Sequence, residues 1–165
     1  LKGPKAYKFC QKNFFPKTKI PSTKKYDSLT VDQIKDMIYL GNFIGGHTKT
    51  HLNLKNLKEN DLIEEIIESA NYLESILDYK ISHFAYPFGS IKTISRKSFI
   101  ISKSRFKYCF ANIRGGLTES PSKNFLYRQN IDKSMPFFII KSIIQGKLNW
   151  KYKKERNKAI SKFII

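Results

Sequence analysis

The chain has 165 residues, of which 41% are hydrophobic and 14% aromatic, enough for one domain with a buried core. This composition excludes a chain that is disordered throughout. The longest apolar run, residues 135–144, contains Lys141 and is much shorter than the roughly 20 residues of a membrane-spanning helix, so we predict no such helix.

The formal net charge is +18, from 31 Lys and Arg against 13 Asp and Glu. Such a charge attracts nucleic acids, anionic lipids and acidic glycans. The basic residues are scattered, without an arginine-rich arm or zinc-finger spacing. Two interpretations stay open: a compositional bias that keeps the domain in solution, and a preference for anionic partners such as an envelope surface. We do not expect nucleic-acid binding, because the aromatic residues follow core periodicity instead of forming a stacking platform.

The N-terminal third is predicted to hold a strand at residues 6–15, a polar loop and then a helix. Thr30 and Gln33 have the spacing of a capping box, and Gly41 is a natural helix end. A short buried strand at residues 43–44 then runs into Gly45 and Gly46.

The clearest predicted helix has apolar residues at helical spacing between Leu62 and Leu77. Its N-terminal acids, Glu64 and Glu65 among them, are interpreted as a solvated face that matches the helix dipole. Strands are predicted at residues 81–86, 106–113 and 125–131, with helices at residues 90–104 and 134–146. Strands and helices therefore alternate, which predicts an α/β fold with a mainly parallel sheet. Residues 1–150 are assigned to this domain and residues 151–165 to a basic, peripheral C-terminal tail.

Two motifs follow directly after predicted strands, where the sites of α/β proteins gather. The first is His47-Thr48-Lys49-Thr50-His51. Histidines at i and i+4 can place both imidazoles on one side of a helical turn and share a metal. Alone, the pair is a weak signal that favours two incidental histidines, but these are two of only three in the chain and they stand together at a strand end. Thr48 is predicted either to orient an imidazole or to be a β-branched residue at a strand end.

The second motif is Tyr86-Pro87-Phe88-Gly89. A strand that ends in an aromatic turn can point a backbone N–H into a cleft, where it stabilises the negative oxygen of a tetrahedral intermediate. Tyr86 and Phe88 could also present flat faces to a sugar. The alternative is a Pro-Gly turn whose aromatic rings lie in the core.

Together these segments resemble the polysaccharide deacetylases of the NodB type, carbohydrate esterase family 4. Residues 44–54 (IGGHTKTHLNL) resemble the second family motif, and residues 83–89 (HFAYPFG) resemble the third. Residues 125–131 (FLYRQNI) are similar to a late strand that carries a recurrent arginine, here Arg128. The resemblance implies a distorted (β/α) barrel, incomplete at its N-terminus, that removes N-acetyl groups from an amino-sugar glycan of the cell envelope.

The resemblance also implies the site. His47 and His51 would bind zinc or a similar divalent ion, and the Phe88 N–H would be the oxyanion donor. Tyr86 and Arg128 would contact the substrate. The first family motif, which carries an aspartate pair, does not occur in the sequence, so we expect it upstream and expect this segment to be inactive alone. Ala85 stands where an arginine is common, and no histidine follows His83, which we interpret as structural. A catalytically inactive relative that binds a glycan or a protein is the alternative.

Overall fold

The computed structural model describes residues 28–164. In chain order the elements are α1 (Val31–Tyr39), α2 (Glu59–Ile63), a π-helical segment (Glu64–Glu68), α3 (Ser69–Leu77), β1 (His83–Ala85), α4 (Arg96–Arg105), β2 (Tyr108–Phe110), α5 (Phe137–Ile144) and α6 (Lys153–Phe163), with short 3-10 turns at Leu117–Glu119 and Asn149–Tyr152. The strand predicted at residues 6–15 lies outside the described residues. None of the helices described here combines the length and the hydropathy needed to cross a bilayer.

Helix α1 begins and ends as its sequence predicts. The Thr30 N–H donates to Gln33 Oε1 at 2.9 Å, and the Gln33 N–H donates to Thr30 Oγ1 at 3.2 Å, which completes the capping box. At the other end, the Gly41 N–H donates to the Ile38 carbonyl and the Asn42 N–H to the Met37 carbonyl. These two hydrogen bonds form a Schellman motif, and its left-handed residue is Gly41, with φ +85°.

Residues 59–77 form the predicted long helix, with one irregularity. Between α2 and α3, residues 64–68 widen into a π-helical turn, in which the Ser69 N–H bonds to the Glu64 carbonyl. The Ser69 hydroxyl also donates to the Glu65 carbonyl at 2.6 Å. Such widened turns are rare and often lie at functional sites.

The sheet is parallel, as predicted, but its regular part is short. Strands β1 and β2 pair with His83 opposite Tyr108 and Ala85 opposite Phe110. Isolated parallel bridges extend the pairing on both sides, from Gly46 to Phe84 and from Phe110 to Leu126. The short buried strand predicted at residues 43–44 does not form: Phe43 is 77% exposed, and the bridge lies two residues further along, at Gly46. The strand predicted at residues 125–131 is reduced to one bridging residue, Leu126, and residues 90–104 become a turn followed by α4.

The core lies between the sheet and helices α2 to α4, and it extends to the C-terminus. Phe99, Phe125 and Phe163 form an aromatic cluster whose ring centroids are 5.0–5.8 Å apart. Phe163 is 2% exposed and Ala159 is fully buried. Helix α6 is thus part of the core and not the peripheral element that its basic composition suggested, while the assigned boundary at residue 150 stays a prediction.

Candidate active site

Two turns lie side by side at the carboxyl end of β1. The first, residues 47–51, directly follows Gly46, whose two backbone groups both bond to β1. The Gly46 N–H donates to the His83 carbonyl at 2.8 Å, and the Gly46 carbonyl accepts from the Ala85 N–H at 2.9 Å. A Cβ on Gly46 would lie 3.3 Å from the Phe84 ring, so glycine permits this close approach. The second turn, residues 86–89, directly continues β1.

The imidazoles of His47 and His51 are neighbours. Their ring centroids are 4.8 Å apart, with the planes at 67°. His47 Nδ1 lies 2.7 Å from the Ala85 carbonyl oxygen. A carbonyl can only accept, so Nδ1 carries the proton, and the Nε2 of the neutral ring keeps a free lone pair. This arrangement is typical of metal-binding histidines, which usually donate their second ring nitrogen to a carbonyl or carboxylate.

The pair is not brought together by a helical turn, which was the basis on which the sequence predicted it. Residues 47–51 form an irregular loop in which Thr48 has φ +68° and His51 has φ +60°. Positive φ is uncommon for a side-chain-bearing residue and is an outlier for a β-branched one such as Thr48. Each such residue costs on the order of 1–3 kcal/mol and persists only where its surroundings enforce it.

These strained residues cluster at the site. Four non-glycine residues of the described chain have positive φ, and three of them, Thr48, His51 and Phe88, lie in the two turns. The fourth, Asp78, is the left-handed cap of α3. Strain of this kind is often found at catalytic and ligand-binding sites.

Glu65 bonds to the backbone of the first turn, a contact that the sequence did not indicate. Its side chain is buried, with 6% of the residue exposed, so the predicted solvated face does not include it. Its carboxylate accepts from the backbone N–H groups of Lys49 and Thr50 at 3.1 and 2.9 Å, and from the Thr50 hydroxyl at 2.5 Å. Burial alone would raise the pKa of Glu65, but hydrogen bonds from Thr50, Lys49 and Thr48 together lower that pKa below its ordinary value.

Phe88 adjoins the histidines. Its ring centroid lies 5.0 Å from that of His51, edge to face, and 55% of the residue is exposed. Its backbone N–H donates to no atom of the described residues. With φ +58°, the Phe88 peptide is held in a turn that Gly89, at φ +60°, completes. The predicted oxyanion donor is therefore unengaged, and it belongs to a residue whose ring borders His51.

Tyr86 is not at the site. It is 1% exposed, lies in the core, and hydrogen-bonds through its hydroxyl to Ser102. Burial raises the pKa of Tyr86 well above its ordinary value. Successive side chains on a strand point to opposite faces, and Tyr86 takes the inward face beside Phe84, so it presents no surface to a sugar.

Arg128 is half-buried near the second turn. Its Nε donates to the Ala111 carbonyl at 2.9 Å, and Ala111 precedes Asn112, whose N–H donates to the Gly89 carbonyl at 2.8 Å. No described Asp or Glu pairs with Arg128. Burial lowers the pKa of its guanidinium, with no described carboxylate to offset the effect.

The third histidine has structural surroundings, as predicted. The His83 ring stacks on Tyr108, with centroids 5.1 Å apart, and Nδ1 lies 3.0 Å from Ser82 Oγ.

Thr48 bonds to the backbone of the turn, since its Oγ1 accepts from the His51 N–H at 3.0 Å.

The residues present fit two of the ligands of a divalent ion. The free His47 Nε2 and the adjacent His51 ring supply borderline-soft nitrogen donors of the kind that zinc prefers. Across the described part of the chain, no group of three or more His, Cys, Asp or Glu side chains converges on one point. Further protein ligands would therefore have to come from residues outside this part.

The family model for polysaccharide deacetylases matches residues 3–100, more than half of the chain. The chain therefore belongs to the polysaccharide deacetylase family, whose domain is the NodB homology domain of carbohydrate esterase family 4. No curated protein matches the chain.

Solved structures agree with this assignment at the level of the fold. The deacetylase PplD of Streptococcus pyogenes, solved in complex with acetate, is 22% identical with a TM-score of 0.64, over 74% of this chain and 52% of that one. A polysaccharide deacetylase of Bacillus cereus is 22% identical with a TM-score of 0.63, over 84% and 46%. A de-N-acetylase of Aggregatibacter actinomycetemcomitans is 15% identical with a TM-score of 0.58, over 84% and 68%. The chain spans about half the length of the first two.

Proposed function

We propose that this chain contributes to a metal-dependent deacetylase that hydrolyses N-acetyl groups of an amino-sugar polysaccharide of the cell envelope. The observation that carries the proposal is the cluster of His47, His51 and the unengaged Phe88 N–H at one end of β1. Family membership supports the reaction class. The similar S. pyogenes deacetylase was solved with acetate, the product that such a hydrolysis releases.

Each residue at the cluster has a chemical task. His47 and His51 would hold the ion, and the bond from His47 Nδ1 to the Ala85 carbonyl keeps Nε2 free for it. A divalent ion such as zinc supplies a Lewis acid that polarises the acetyl carbonyl and lowers the pKa of water. The Phe88 N–H stabilises the negative charge that develops on the carbonyl oxygen as water adds to the carbon. The C–N bond then breaks, acetate leaves, and the amine takes a proton.

Arg128 is proposed to face a carboxylate. A half-buried guanidinium without a described acidic partner is unfavourable until a carboxylate or a substrate group approaches it. An aspartate of the first family motif would meet this need, and Arg128 would then replace the arginine that is absent at Ala85. We further propose that β1, β2 and the bridges at Gly46 and Leu126 form part of a distorted (β/α) barrel.

A zinc titration tests the metal site. We expect calorimetry to show Zn²⁺ binding to the chain, and we expect His47→Ala and His51→Ala each to weaken it at least about tenfold. His83→Phe is the matched control, because it removes the third imidazole while keeping a ring to stack on Tyr108. Equal zinc affinity in all four proteins would overturn the metal site.

Acetate release tests the reaction. The sequence contains no adjacent aspartate pair, so we expect no acetate from N-acetylglucosamine oligomers with this chain alone. We expect EDTA-sensitive release from the protein that also carries the upstream motif. If the coding sequence upstream has no acidic pair, hydrolysis is excluded and the inactive alternative stands.

The alternative is a non-catalytic domain that binds a glycan or a protein, and it is favoured by Ala85, which stands where an arginine is common in the family. It predicts saccharide binding that EDTA leaves unchanged. Calorimetric titration of the same oligomers with and without chelator separates the two functions.

A further inference from the structure

Glu65 is a buried acid that the proposed reaction does not use. We propose that it is a positioning residue, which holds the backbone of residues 48–50 so that His47 and His51 can face one metal ion. This inference rests on the proposed function and deepens it, because it assigns a residue that sets the geometry of the metal site without touching the ion.

The contacts of Glu65 point in one direction. The donors to Glu65 in the described chain all belong to the turn between the histidines, and the principal ones are the N–H groups of Lys49 and Thr50 and the Thr50 hydroxyl. A buried carboxylate that serves the fold alone is usually paired with Lys or Arg. No such pair is formed here within the described residues, so the charge of Glu65 is stabilised by the turn itself.

The turn needs this support because its own conformation is unfavourable. Thr48 and His51 both have positive φ in the conformation that places the two imidazoles side by side. Gly46 fixes the N-terminal end against β1. Without Glu65, water could satisfy the Lys49 and Thr50 N–H groups equally well in a relaxed turn, and the rings would separate.

The helix is locally reshaped at the same place. Glu65 lies in the π-helical segment, and its carbonyl accepts from the Ser69 hydroxyl at 2.6 Å. The neighbouring Glu64 is half-exposed and pairs with the side chain of Lys49 at 2.6 Å, without bonding to the backbone of the turn. Two adjacent acids of one helix thus reach the same turn, but only Glu65 bonds to its backbone.

Glu64 therefore provides the matched control. Glu65→Gln and Glu64→Gln remove the same charge one residue apart, but only the first replaces an acceptor with an amide that cannot accept all three bonds. In Zn²⁺ titrations of the full chain, we expect Glu65→Gln to weaken binding by about 10- to 100-fold, the usual effect of losing a group that orients a metal ligand. We expect Glu64→Gln to change it by less than about threefold, as for a solvent-screened charge.

A second pair of variants guards against unfolding as the explanation. Thr50→Val keeps the carboxylate and removes one of its donors, and Thr50→Ser restores the hydroxyl. We expect weaker zinc binding for the valine variant and recovery with serine, at similar melting temperatures without metal. Hydrogen exchange provides a readout without metal: the Lys49 and Thr50 amides should exchange faster in Glu65→Gln.

The outcomes separate the two proposals. If the unmodified chain does not bind Zn²⁺, the proposed function fails at its metal site. If it binds and Glu65→Gln binds equally well, the positioning role of Glu65 is overturned while the metal site stands. Equal weakening by Glu64→Gln and Glu65→Gln would also overturn it, since charge alone would then explain the effect.

Discussion

Gly89 shapes the second turn of the site, and replacing it tests how tightly that turn is held. A Cβ at Gly89 would lie 2.5 Å from the Asn112 backbone nitrogen and 2.8 Å from Asn112 Cβ, both inside the 3.4 Å of an ordinary contact. Asn112 cannot easily retreat, because its N–H donates to the Gly89 carbonyl at 2.8 Å. Ala111 is also fixed, through its bond to the Leu126 carbonyl at 2.9 Å. The added methyl group must therefore displace backbone.

Gly41 allows the steric part of the cost to be isolated. Its φ is +85°, so alanine there pays a similar conformational penalty, but no described atom lies within 4 Å of the added Cβ. The left-handed region costs an L-residue about 1–2 kcal/mol, and the loss of unfolded-chain entropy returns about 0.4–1 kcal/mol. We therefore expect Gly41→Ala to lower the free energy of unfolding by about 1 kcal/mol. Gly89→Ala adds about 1–3 kcal/mol of overpacking, so its total should be about 3 kcal/mol.

Urea unfolding followed by circular dichroism measures both losses on one scale. In thermal unfolding, the melting temperature of a chain of this size should fall by about 2–4 °C for Gly41→Ala and about 6–12 °C for Gly89→Ala. Equal losses in the two variants would refute the reasoning, because they would mean that Asn112 yields freely.

Three further predictions concern the interior. Phe163→Ala should lower the free energy of unfolding by about 3–5 kcal/mol, while Ile164→Ala, at a position 37% exposed, should cost less than about 1 kcal/mol; similar values by urea unfolding would show that α6 is not part of the core. Tyr86→Phe should lower the free energy of unfolding by about 1 kcal/mol, because it removes the hydrogen bond to Ser102. Saccharide affinity measured by calorimetry should not change, and weaker binding would restore the predicted substrate role of Tyr86. Burial raises the pKa of Cys109 to about 11. In a Cys10→Ser background, a thiol reagent at pH 8 should therefore label Cys109 only after denaturation. Labelling of the native protein would contradict the burial of Cys109.

The helical parts of the fold could be predicted because their signals are local. The capping box at Thr30, the stop at Gly41 and the apolar spacing from Leu62 to Leu77 each lie within a few turns of chain, and the structure confirms all three. Strand lengths were overestimated for the opposite reason. A run such as residues 125–131 is apolar enough for a strand, but its hydrogen bonds depend on neighbours far along the chain, and only Leu126 forms a bridge.

The candidate site was found by its residue types, and its geometry was not. The i, i+4 spacing of His47 and His51 predicted neighbouring rings, and they are neighbours, but through a strained loop instead of a helical turn. Tyr86 was assigned to the pocket because residues 83–89 resemble a family motif, although alternation along the strand turns its side chain into the core. The face of the sheet on which a strand residue lies depends on the pairing register, which cannot be read from a single sequence.

Glu65 shows why supporting residues are harder to read than ligands. In the sequence it is one of several acids at the start of a helix, where the helix dipole is a sufficient explanation. Both acids lie in the widened turn at residues 64–68, but Glu64 stays half-exposed while Glu65 is buried and bonds to the backbone between the histidines. A hydrogen bond to a charged acceptor contributes about 1.5–3 kcal/mol, so three of them can offset two residues at positive φ. The geometry of the histidine pair therefore depends on a carboxylate more than a dozen residues away, which neither the spacing nor the identity of the histidines could reveal.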